Sequence, residues 1–88
     1  MQAVYLQIGQ KIAYYRKLRN FSQDELARRV NISKSSLGKI ERGKYNNNIP
    51  MSVLIAIAES LNIELATLVT FNAEEKKMQW EMKVGNIH

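Results

Sequence analysis

Three asparagines govern how this chain can turn. Asn20, Asn31 and Asn62 each close a stretch of helically spaced apolar residues, and each is followed at once by a bulky apolar residue: Phe21, Ile32 or Ile63. Asparagine is the best non-glycine residue at positive φ, where a helix stops and the chain reverses. Gly43 marks a fourth end of the same kind. Reversals this tight leave no room for strands between the segments. They predict helices of roughly two to four turns in an all-α fold. Eighty-eight residues supply one core, not two.

The first helix is expected over about residues 6–19, with Ile8, Ile12, Tyr15 and Leu18 at helical spacing. "FSQDEL" at 21–26 is a start signal: Ser22 is the N-cap, Glu25 completes a capping box, and Phe21 with Leu26 can form a hydrophobic staple. The second helix, about 23–30, turns Leu26, Ala27 and Val30 inward. The third, capped by Ser33, covers about 33–42, and "GKYNNNIP" after it is a polar loop. The fourth, about 51–61, is the most apolar. Leu54, Ile57, Ala58 and Leu61 suffice for the core, leaving Met51, Val53 or Ile55 to be covered by something else. A short fifth helix begins near Glu64. Beyond it, 72–88 reads two ways. "NAEEKK" has a helix cap, whereas "MQWEMKV" alternates, with Met78, Trp80, Met82 and Val84 on one side as in a half-buried strand. The alternation favours the strand.

Composition narrows the function classes. Without cysteine there are no disulfides or thiolate metal sites. The single histidine is His88, so no Ser/His/Asp or Cys/His set exists, and glycines 9, 38, 43 and 85 form no phosphate-cradling run. No enzyme, cofactor or metal is expected. Met1–Gln10 lacks a basic start followed by an apolar run, and "VLIAIA" at 53–58 is far short of a bilayer span. The cytoplasm is the expected location, with no membrane partner. Charge is uneven. Residues 1–50 carry ten Lys/Arg against three acids, an excess of seven, while 51–88 carry three Lys against five Glu, a net −2. A basic half beside a mildly acidic one suggests a polyanion on one face.

The third helix carries that suggestion further. At about 100° per residue, Leu37 and Ile40 fall on one side, and Lys34, Ser35, Gly38, Lys39 and Arg42 on the other. The apolar stripe is narrow, and the outward face is cationic and built of small residues. Gly38 would let the helix axis approach a groove closely. A B-DNA major groove, about 12 Å wide, admits one α-helix.

"SQDELARRVNISKSSLGKIERG", with "IGQKIAYYRKLRNF" before it, resembles the helix-turn-helix domains of Cro and the phage repressors, the xenobiotic-response-element type. The resemblance covers about 8–70. Ala27 sits at the small-residue crossing, Asn31 at the turn, and Ile32, Leu37 and Ile40 at the positions that lock the two helices. It implies a compact five-helix, lambda-repressor-like domain over 1–71, with 72–88 as a short extension, strand or helix. It also implies roles. Ser33, Lys34, Ser35, Gly38 and Lys39 would lie at base edges. Arg16, Gln23, Arg42, Lys44, Tyr45 and Asn46 would hold phosphates. Arg16 would also pair with Glu41, an acid that the end of a helix otherwise disfavours. Departures from the pattern are a loop longer by about two residues between Gly43 and Met51, Pro50 in place of a Ser or Thr cap, and Glu64 as the cap of the fifth helix.

The resulting expectation is a sequence-specific regulator of double-stranded DNA, a repressor binding an inverted repeat as a homodimer. Met51, Ile55, Met78, Trp80, Met82 and Val84 would form the interface. The alternative is an antitoxin or antagonist-controlled regulator whose C-terminal half binds a toxin or other protein.

Overall fold

The computed structural model describes residues 2–45 and 48–70. The expected roles of Asn46 and of Met78, Trp80, Met82 and Val84 lie outside those residues, as does the choice between strand and helix over 72–88. Among the described residues the chain is all-helical: α1 (Gln2–Leu18), α2 (Gln23–Arg29), α3 (Lys34–Glu41), α4 (Met51–Leu61) and α5 (Leu65–Val69).

The four helix ends share one mechanism. Asn20, Asn31, Gly43 and Asn62 all have positive φ, between 57° and 69°. At each, the next residue's N–H reaches back five positions: Phe21 to Arg16, Ile32 to Ala27, Lys44 to Lys39 and Ile63 to Ala58, at 2.8–3.0 Å. The left-handed residue itself donates three positions back. This is the Schellman pattern, which satisfies carbonyls that a helix end leaves orphaned. Phe21, Ile32 and Ile63 then turn in against the core. Starts are also fixed locally. Ser22 Oγ accepts from the Glu25 N–H and Ser33 Oγ from the Ser36 N–H, both at 3.0 Å. The Glu25 carboxylate accepts from Arg29 on the next turn.

The core is one cluster drawn from all five helices, with Ile12, Leu26, Leu37, Ile57, Leu61 and Leu68 essentially sealed from solvent. On α4, Leu54, Ile57, Ala58 and Leu61 are buried, while Met51 and Ile55 stay exposed. Helix α1 starts about one turn earlier than the sequence suggests. Val4 and Tyr5 pack against the core, and Tyr5 Oη donates to Asn48 Oδ1 at 2.7 Å, tying that extra turn to the loop before α4.

Helices α1 and α3 meet almost backbone to backbone. A Cβ on Gly9 would collide with the carbonyl oxygen of Ile40 and come within 2.7 Å of that of Glu41. One on Gly43 would come within 2.7 Å of Leu6 Cα. Gly38 differs, because a Cβ there would meet only the side chain of Arg42. Gly9→Ala should therefore lower the melting temperature, because overpacking against fixed backbone costs about 1–3 kcal/mol and outweighs a helix-propensity gain of about 1 kcal/mol. Gly38→Ala should leave the melt unchanged or raise it. Thermal denaturation of both variants checks the contrast.

Candidate nucleic-acid interface

The end of α3 is anchored by a buried ion pair. Arg16 Nε donates to Glu41 Oε2 at 2.7 Å and Nη2 to Oε1 at 3.1 Å, a bidentate fork, and Nη1 donates to the Phe21 carbonyl at 2.8 Å. The two side chains are 10% and 6% exposed. Gln23, the first residue of α2, donates Nε2 to Glu41 Oε1 at 3.0 Å. One carboxylate thus ties α1, the start of α2 and the end of α3. The bond is charge-assisted and directional.

This geometry gives several of the expected site residues partners inside the protein. Arg16 faces inward, with its guanidinium committed to Glu41 and Phe21. Gln23 spends an amide hydrogen on Glu41 rather than standing free at the start of α2. Ser33 uses its hydroxyl twice, accepting from the Ser36 N–H and donating to Ser36 Oγ at 2.8 Å, so it is a cap before it is a reader. Gly38 is also not open to close approach, being buried under Arg42.

Other basic residues of the N-terminal half are spent too. Lys11 Nζ donates to the carbonyls of Thr67 and Thr70 at the end of α5. Arg19 Nε donates to the Leu61 carbonyl at 2.8 Å, at the end of α4. Arg28 and Arg29 face Asp24 and Glu25 one turn back on α2, and Arg29 also lies 4.5 Å over the Phe21 ring. Lys17, Lys34, Lys39, Arg42 and Lys44 are exposed and, among the described residues, have no carboxylate partner. Four of these five lie on α3 or within three residues of its end. Ser35 is exposed beside them, and Tyr45 is half-buried against the core. Sequence reasoning counted charge; it missed which charges the fold consumes, since helix-end carbonyls carry no signature of their own.

A short helix with a narrow buried edge, held rigidly at its end and carrying unpaired cations outward, is the arrangement of a helix-turn-helix reader. The family model described as "Helix-turn-helix" matches residues 12–68, and this chain belongs to that family, the Cro/C1-type DNA-binding transcription regulators. The immunity repressor protein of Bacillus phage phi105 is 40% identical over 62 residues, which is 70% of this chain and 42% of that protein, so the chain spans well under half the repressor's length. The crystal structure of the restriction-modification controller protein C.AhdI from Aeromonas hydrophila is 28% identical and superposes with a TM-score of 0.70, over 76% of this chain and 94% of that one. A structure of a SinR protein/SinI protein complex matches at 29% identity and a TM-score of 0.65, over 92% and 82% of the two chains. No described helix is long and apolar enough to cross a membrane.

Truncating either partner of the buried pair should cost about 3–5 kcal/mol, because the other charge is left buried and uncompensated. Arg16→Ala and Glu41→Ala combined should cost clearly less than their sum. Denaturant unfolding of the three variants checks this, and strict additivity would mean the pair is not coupled.

Proposed function

We propose that the protein is a transcriptional repressor that binds an inverted-repeat operator as a homodimer, with one α3 in each of two successive major grooves. The observation that carries this reading is the cluster of exposed cations Lys34, Lys39, Arg42 and Lys44 around Ser35, without carboxylate partners among the described residues, on a helix whose other edge is locked by Glu41. Ser35 and Lys39 face the base edges, Lys34 stands beside them on the flank at the start of the helix, and Lys44 grips the backbone. Relatives of the same family, a phage immunity repressor among them, support the reading.

Site selection from random duplexes by the full chain tests it, with recovery of an inverted repeat as the expected result. Its half-sites should lie about 34 Å apart, one helical turn. Affinity should fall with salt at a log–log slope of roughly −0.9 for each phosphate neutralised. Lys44→Ala should weaken random and selected duplexes alike and flatten that slope by about one per subunit. Lys39→Ala should instead lose about 1–3 kcal/mol of discrimination at one base pair. Equal losses on all duplexes would remove Lys39 from the reading role.

The dimer is proposed to form through α4, α5 and the extension 72–88, away from the basic face. Met51 and Ile55, one turn apart on α4, are 59% and 41% exposed, an apolar strip that a partner would cover. Ile55→Glu should turn a sedimenting dimer into a monomer that keeps its helical circular dichroism, with a melting temperature that no longer depends on protein concentration. A variant that stays dimeric at micromolar concentration would move the interface elsewhere. The same strip suits the second reading, in which a different protein occupies this surface and controls DNA binding. The matching SinR/SinI complex supports keeping it. A chain that sediments as a monomer even on its operator would favour the second.

A further inference from the structure

We propose that Arg42 reads a base edge, and that position 38 is glycine because a side chain there would unseat it. The proposal rests on α3 entering the major groove. The family resemblance groups Arg42 with the phosphate contacts, since it follows the last turn of the reading helix. Its side chain takes it elsewhere.

Direction comes first. At about 100° per residue, Arg42 and Ser35 lie within roughly 20° of the direction opposite Leu37 and Ile40, whereas Lys34 lies roughly 90° from it. The backbone stays close enough to helical for this to hold, since Arg42 has φ −89° and ψ 0° and its N–H still bonds the Gly38 carbonyl. Base edges lie ahead of the outward face of a helix in the groove, and phosphates lie along its flanks. Arg42 points ahead.

Reach comes second. Helical side chains lean toward the N-terminus, over the preceding turn. Arg42 does so: its Nη1 lies 3.1 Å from where a Gly38 Cβ would sit, with Cζ and Nη2 both at 3.9 Å. The guanidinium occupies the space of the missing side chain and buries Gly38. The charge is therefore carried back by about one turn, toward the half of the helix where Lys34 and Ser35 stand. A Cβ alone would force Nη1 to yield by tenths of an ångström, and a larger side chain would push the fork off the face.

The third observation is that the fork is unspent. Arg16 and Arg19 commit their guanidinium groups to protein oxygens, and Arg28 and Arg29 face carboxylates. Arg42 has no hydrogen-bond or ion-pair partner among the described residues. It is a planar donor pair on the outward face with no acceptor among the described residues. Guanine O6 and N7 form the acceptor pair that matches such a fork, and this is the commonest specific contact in the major groove.

The test is duplex selection and competition binding by the full chain and its variants at positions 42 and 38. The wild-type chain should select a guanine at one base pair of each half-site and lose about 5- to 150-fold in affinity when that base is changed. Arg42→Lys keeps the charge and loses the fork, so binding to random duplex should stay within about twofold while the guanine preference collapses. Gly38→Leu should erase the same preference in the wild-type background and change nothing further at that base pair in Arg42→Ala. Melting curves confirm that the exposed-site variants are folded. If Arg42→Ala weakens every duplex by one factor and leaves all base preferences intact, Arg42 is a phosphate contact and the proposal is overturned. If Gly38→Leu leaves the guanine preference in place, the seating role fails. A wild-type chain that enriches no sequence at all overturns the major-groove reading itself, and this proposal with it.

Discussion

The fork between Arg16 and Glu41 is the interaction on which the rest of the site depends. Helix α3 is eight residues long and buries only a narrow edge, far too little to hold a helix of that length in water by itself. Glu41 sits at its last position, where the macrodipole disfavours an acid. Arg16 reverses that objection, and Gln23 adds a bond to the same carboxylate from the start of α2. Gly9 makes the arrangement reachable. Without a side chain there, the α1 backbone comes close enough to the last carbonyls of α3 for the Glu41 carboxylate to run along α1 to Arg16.

The same logic extends along α1. Lys11 and Arg16 on α1, with Arg19 just past its end, each serve a different helix: Lys11 at the end of α5, Arg16 at the end of α3, Arg19 at the end of α4. Each brings positive charge to the negative end of a helix, where cations are favoured and carbonyls lack partners. Helix α1 therefore works as a spine that gathers three C-termini. A formal excess of seven positive charges in residues 1–50 overstates what is available to a polyanion, since part of it is consumed inside the protein. What remains clusters on and just after α3.

Much of the fold was legible because the stop signals are written in single residues. Asn20, Asn31, Gly43 and Asn62 have one physical use in this context, and they fix where four helices end to within a residue or two. The core of α4 could be read from spacing because eleven residues span three turns of one face. The early start of α1 could not, because Val4 and Tyr5 acquire their role only from the loop they touch. In the candidate site, the outward set Lys34, Ser35, Lys39 and Arg42 followed from angle alone. The inward turn of Arg16, the bond from Gln23 to Glu41 and the lid of Arg42 over Gly38 did not. All three depend on which side chain wins a shared partner, and sequence spacing does not rank competitors.

An apolar pair of similar size could hold α1 to α3 at least as tightly as a buried ion pair, which must offset the desolvation of both charges. Stability alone is a poor reason for the fork. Orientation is a better one. Leu37 and Ile40 fix the depth of α3, but aliphatic contacts on a narrow edge resist rotation about the helix axis weakly. A turn by one residue, about 100°, would carry Ser35 and Arg42 off the outward face and bring Ser36 round. Two parallel hydrogen bonds to Glu41, each with a preferred direction, resist that rotation at the end of the helix nearest Arg42. The cost of burying the pair is the cost of an exposed cationic face that points one way.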